Sequence, residues 1–260
     1  MKQLATCLLF LLANLSAEQP ETLWTRPLVI GASLADGFNK NNILGPPSQD
    51  LSLHLHLDNA LTTPHGTIEN KGLITFFTDP ESNAKYQIDF VATHKPTVIF
   101  APDFLFWFLY GNIAGDESTR LENLQKGFTY LEKIAVPLII GDIPDARHAA
   151  GGILNQAQIP EAKTIATANQ RIRTWAQQRK QTGILPLAQF MAHVRDQKPI
   201  PIGKLQVRAQ DTTKLLQPDQ LHPTAEGAAL IALAALQELQ TITSFDQSSV
   251  TWTHPLLTQP

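Results

Sequence analysis

Short, wholly apolar runs alternate along this chain with segments of helical periodicity, and that alternation restricts the fold more than any other feature. Leu28-Val29-Ile30, Val98-Ile99-Phe100-Ala101 and Val136 to Ile140 offer no polar residue to either face of a strand. Strands read this way when both faces are covered. Alternation with helices then implies a parallel sheet enclosed between helical layers. The expected class is α/β, with a parallel sheet of about five strands, a usual size for a sheet, and helices on both faces.

The remaining elements follow from spacing and from breakers. Gly66 to Phe77 holds a further strand candidate, centred on Leu73-Ile74-Thr75-Phe76-Phe77. Pro80 to His94 predicts a helix N-capped by Asp79, with Tyr86, Phe90 and Val91 on one face. Asp116 to Ile134 is amphipathic, with Leu121, Leu124, Phe128 and Leu131 at three- and four-residue spacings. Ala162 to Gln181 reads as helix, Gly183 to Leu187 as a short strand and Ala225 to Leu239 as the final helix. Gly45 to His65 fits a strand, a helix or an insertion. In His54-Leu55-His56-Leu57-Asp58 a strand would put both histidines and Asp58 on one face, but no further ligand is near, and no metal site is assigned.

No repeat or linker divides the chain, so residues 18–260 are expected to form a single domain. The segment before them has another character. Lys2 precedes the apolar run Leu4 to Leu15, and the small residues Ser16 and Ala17 lead into polar Glu18-Gln19. That is the layout of a secretory signal peptide, residues 1–17, cleaved after Ala17. The run is too short for an ordinary membrane span, so none is expected after cleavage. Cys7 comes too early to accept a lipid. The expected location is secreted or periplasmic. Lys and Arg total 20 against 23 Asp and Glu, a net charge of −3, which disfavours nucleic-acid binding. Cys7 is the single cysteine, which excludes an internal disulfide framework.

In open parallel sheets functional groups gather beyond the carboxyl ends of the strands. After the first strand comes Gly31-Ala32-Ser33-Leu34-Ala35-Asp36-Gly37, after the third Pro102-Asp103, and after the fourth Asp142 and Asp145. Asp219-Gln220-Leu221-His222-Pro223-Thr224 stands before the last helix. Ser33 alone reads as a helix cap, His222 as an ordinary helix-start histidine and Asp219 as a turn residue. Together they supply a hydroxyl, a base and a group to orient that base. The three-residue step from Asp219 to His222 lets carboxylate and imidazole meet within one local turn.

LVIGASLADGF resembles the first block of the SGNH (GDSL-type) hydrolases, and QPDQLHPTAEGAALIA resembles their last block, Asp-x-x-His-Pro-Thr leading into the final helix. The resemblance implies a flavodoxin-like, SGNH-hydrolase-like fold and hydrolysis of carboxylic esters through an acyl-enzyme. It implies Ser33 as nucleophile, His222 as general base and Asp219 as orienting acid. The backbone N–H groups of Ser33 and Thr75 would be the oxyanion donors. It implies no cofactor, and a small-molecule, carbohydrate or lipid ester as substrate.

Three positions depart from the family pattern. Ala32 replaces the aspartate before the nucleophile. Thr75 stands where the second block has glycine, and keeps a backbone N–H. Pro102 replaces the third-block asparagine and can donate nothing. Asp103 and Asp142 are candidate substrate contacts, Asn112 is a further candidate for the site, and Phe104 to Tyr110 could wall an acyl group. The α/β-hydrolase alternative is disfavoured because Ala35 fills the last glycine of Gly-x-Ser-x-Gly. A non-catalytic binding protein on the same scaffold is the rival reading, motivated by Pro102.

Overall fold

The computed structural model describes residues 22–39, 41, 51–111 and 116–260. The leader (1–17) and Asn112 lie outside the described residues. In chain order the elements are β1 (Pro27–Val29), α1 (Ser33–Asp36), α2 (Leu53–Ala60), β2 (Glu69–Asn70), α3 (Pro80–His94), β3 (Val98–Ala101), α4 (Phe106–Tyr110) and α5 (Glu117–Leu131). There follow β4 (Leu138–Gly141), α6 (Ala162–Gln177), β5 (Thr182–Leu185), α7 (Leu187–Arg195), β6 (Ile200–Ile202), β7 (Leu205–Val207), α8 (Ala225–Ile242) and β8 (Leu257–Thr258).

Among the described residues β1 to β5 form one parallel sheet in the order 2-1-3-4-5. That is the flavodoxin-like order of doubly wound sheets. The continuous apolar runs divide residue by residue between two cores. Val29, Val98, Phe100, Ile139 and Leu185 face a core built with α2, α7 and α8. Leu28, Ile30, Ile99, Ala101, Leu138 and Ile140 face the opposite core, built with α3 to α6. A polar residue at any of these positions would be buried, whichever face it took. β6, β7 and β8 form a small antiparallel sheet that the sequence pattern did not disclose.

Two local expectations are corrected and one open alternative is decided. Leu73 to Phe77 is not a strand: the sheet strand is Glu69–Asn70, and Ile74–Thr78 coils into a 3₁₀ turn. That turn buries Phe76 and leaves Phe77 exposed. A five-residue apolar run has no period that separates the two conformations. The histidine-rich stretch, open in the sequence between strand, helix and insertion, is helix α2. Leu53 and Leu57, four apart, are buried, so the leucine–histidine alternation imitated a strand period by coincidence. On α3 the buried face is Ala84, Gln87 and Ile88; Tyr86 is exposed, and Phe90 and Val91 are only partly covered.

Gln87 is the exception that explains that face. It is fully buried, accepts the Gly31 N–H and donates to the Gly31 and Lys71 carbonyls at 2.7 and 2.6 Å. Beyond β1 and β2 it takes the place of ladder bonds, in a setting where an unmet backbone group costs about 1–3 kcal/mol. Gly31 itself has φ +136°, and a Cβ there would overlap the Asp103 carboxylate.

β1 lies between β2 and β3, so successive connections leave it in opposite directions. At such a switch point a crevice opens beyond the carboxyl ends of the strands. Ser33 and Asp103 are the residues that β1 and β3 deliver there.

Candidate active site

Ser33 opens α1 directly beyond β1, and His222 comes from the turn before α8, 189 positions later. Ser33 Oγ and His222 Nε2 are 2.9 Å apart, and His222 Nδ1 stands 2.8 Å from Asp219 Oδ2. His222 and Asp219 are buried. The other carboxylate oxygen, Asp219 Oδ1, accepts the Leu221 and His222 amides at 3.0 Å each. Burial opposes ionisation of Asp219, but the hydrogen bond and charge of His222 together with these amides hold its carboxyl below the usual value. An ionised carboxylate only accepts, so Nδ1 carries the imidazole proton and Nε2 is left to receive one from the serine hydroxyl.

Two residues that the sequence did not single out hold this geometry. Phe38 packs on the imidazole with ring centroids 4.1 Å apart. Gln217 donates to the carbonyls of Phe38 and Pro223, both at 2.8 Å, and so joins the serine loop to the histidine loop. Neither carries a local signal. A glutamine two residues before Asp219 gives no indication that its partner lies 179 positions away.

Asp103 and Asp142 both border the cavity at Ser33, and each carboxylate also holds backbone amides. Asp103 Oδ1 accepts the Ala32 amide at 2.8 Å and its Oδ2 the Leu34 amide at 2.6 Å. The amide between them, that of Ser33, has no acceptor among the described residues. Asp142 is likewise occupied, its Oδ1 accepting the Ala188 amide in the first turn of α7 at 2.7 Å. Asp145 pairs with Arg147. Burial pushes the carboxyls of Asp103 and Asp142 each up to about 6, against the amides that favour ionisation.

A cavity of about 60 Å³ opens at Ser33 and His222. Its walls are chiefly apolar, with Leu34, Pro102, Phe106, Leu187, Phe190 and Ile231 among them. Of the aromatic run Phe104 to Tyr110, Phe106 alone borders it; Phe104 and Phe108 pack around Phe76, and the Tyr110 hydroxyl donates to the Pro144 carbonyl. Thr75 stands exposed on the 3₁₀ turn, outside the lining of this cavity. Pro102 is in the lining, and the sequence departure therefore falls at the site itself.

The buried Asp103 yields a pH prediction. A carboxyl whose folded value lies near 6, above the ordinary 3.8, binds its proton more tightly in the folded chain. The stability it contributes is complete below about 3.8 and is lost as pH rises through about 6. Asp103→Asn removes that titration, so the stability of wild type relative to the variant should fall by about 2 kcal/mol from pH 4 to pH 7. Urea unfolding of both proteins at the two pH values checks this; parallel pH profiles would contradict it.

No protein-family model matches the chain, and no curated protein matches it. Solved structures do match its fold. A member of the lipolytic protein G-D-S-L family from Veillonella parvula superposes with a TM-score of 0.53 at 14% identity, over 83% of this chain and 98% of its own. A GDSL-like lipase from Bacteroides thetaiotaomicron gives 0.54 at 14% identity, over 86% and 92%. A gut microbial diltiazem-metabolizing enzyme gives 0.55 at 14% identity over 83% of this chain, which spans only 47% of that longer protein. The doubly wound sheet expected from the sequence is thus the fold of the GDSL-type structures.

Proposed function

We propose that this chain, built on the SGNH-hydrolase fold, is a serine esterase that cleaves carboxylic esters through an acyl-enzyme. The observation that carries this reading is the continuous relay Ser33 Oγ, His222 Nε2, His222 Nδ1, Asp219 Oδ2, with separations of 2.9 and 2.8 Å. In it Ser33 Oγ attacks the ester carbonyl as its proton passes to His222 Nε2. The imidazolium is stabilised by Asp219 and returns the proton to the departing alcohol. Water, deprotonated by the same imidazole, then releases the acid and restores Ser33. The oxyanion draws on the Ser33 N–H, which has no acceptor among the described residues and lies between two clamped amides. Thr75 lies exposed and outside the cavity lining, so no second donor is assigned to it.

Cavity size bears on the acyl group. A void of about 150 Å³ accommodates benzene, whereas this one measures about 60 Å³. It suits an acyl group of few carbons. The test of the reading is covalent: a serine-reactive phosphonate should label the wild type once, at Ser33. Equal labelling of folded Ser33→Ala would remove Ser33 from the mechanism.

The rival reading, a binder without turnover, draws on Pro102, which supplies no donor where the family has asparagine. A lost oxyanion donor costs about 2.7–4 kcal/mol of transition-state stabilisation. That slows an esterase without disabling its relay, so we favour the enzyme. The proposal also places it outside the cytoplasm, secreted or periplasmic, on the strength of the leader at 1–17. Exported material should begin near Glu18; N-terminal sequencing that returns Met1 would exclude cleavage.

A further inference from the structure

A second concavity, a groove of about 380 Å³, adjoins the catalytic cavity and shares Met191 and Leu216 with it. Its character is different. Where the first is walled by leucine, phenylalanine and proline, the groove is bordered by His148, Gln197, Thr213 and Gln220. Its charged side chains already have partners: Asp145 is 2.7 Å from Arg147, and Arg195 is 3.0 Å from Asp196, which it shares with Lys198 at 3.3 Å. A neutral hydroxyl-bearing ligand would find amides, a hydroxyl and an imidazole that can each give or receive a hydrogen bond.

The backbone marks the same place. Among the described residues three non-glycine residues have positive φ, and two of them, Gln197 (φ 49°) and Gln220 (φ 59°), border this groove. Glycine takes that conformation without steric cost. A long amide side chain occupies it at both positions. Gln220 also lies between Asp219 and His222, so its side chain extends from the turn that holds the base.

Geometry then assigns the two halves of an ester. The leaving oxygen must reach His222 Nε2 to be protonated, so the alcohol half lies on the side of the histidine turn. Leu216 and Gln220, from that turn and its approach, wall the groove. We propose that the groove is the alcohol-side subsite and takes a polyhydroxylated alcohol, a sugar or glycerol, while the apolar cavity takes the acyl group. This rests on the esterase reading for its catalytic meaning, and on the groove itself for binding.

The experiment uses the full chain and two variants, Gln220→Gly and Gln197→Gly, which keep the left-handed backbone and remove the amide. Binding of methyl β-xylopyranoside and of glycerol is read by ligand-observed NMR. The second readout is the ratio of kcat/KM for acetylated methyl xyloside, or for triacetin, to kcat/KM for 4-nitrophenyl acetate. Wild type should bind at least one polyol, and the better-bound one identifies the source. Each variant should weaken that binding and lower the matching ratio by about five- to tenfold, the effect of one neutral hydrogen bond. Absence of polyol binding by wild type overturns the proposal, as does a ratio unchanged in both variants. If wild type hydrolyses none of these esters yet binds a polyol that Gln220→Gly loses, the groove stands and the esterase reading falls.

Discussion

Ser33→Ala and His222→Ala should each lower kcat on activated esters by about 10⁴-fold or more, and the double variant should lose little beyond either single one. The non-additivity follows from the relay. Ser33 Oγ lies 2.9 Å from the nitrogen that must take its proton, so an unactivated hydroxyl and a base with nothing to activate are equally ineffective. Asp219→Asn tests the third member differently. Asparagine keeps the shape but can present its N–H₂ to Nδ1, which favours the wrong tautomer, and a loss of about 10⁴-fold is expected. The measurement is kcat with 4-nitrophenyl acetate on protein shown to be folded by circular dichroism. If His222→Ala hydrolyses the ester as fast as wild type, the relay is not catalytic. If no protein in the series turns over any activated ester, the chain is a binder on a hydrolase scaffold.

Pro102→Asn should move activity in the opposite direction. Pro102 borders the cavity beside Ser33 and lacks an N–H. Its carbonyl sits so close to Gly141 that a Cβ on Gly141 would overlap it, so the backbone at 102 is pinned between the ends of β3 and β4. With the main chain held there, an asparagine amide introduced at 102 is carried toward the serine. A restored donor raises kcat by up to about 10²-fold. Pro102→Ala is the necessary control, since it releases the proline constraint on φ without adding a donor. An alanine variant that gains as much as asparagine would trace the effect to the backbone. Equal activity of wild type and both variants would show that the oxyanion is served by backbone N–H groups alone.

Much of this architecture is local and was therefore legible in the chain. Leu28-Val29-Ile30 and Val98 to Ala101 are apolar at every position because each residue faces one of two cores. Asp79 and Asp116 cap α3 and α5 through their own side chains, an interaction spanning two or three residues. Asp219 and His222 pair across three residues for the same reason.

Tertiary structure decided everything that depends on which strand lies beside which. The order 2-1-3-4-5 puts Asp103 next to the serine loop, where its carboxylate clamps the Ala32 and Leu34 amides. It also brings Gln87 under Gly31 and Gln217 against Phe38, polar partners 56 and 179 positions apart. Leu73 to Phe77 was misread and the α2 stretch stayed undecided, because a short run fits two periods and only the packing surface selects one. Periodicity reports which side of an element is buried. It carries no record of what buries it, and at a site assembled from the ends of distant strands that partner is the chemistry.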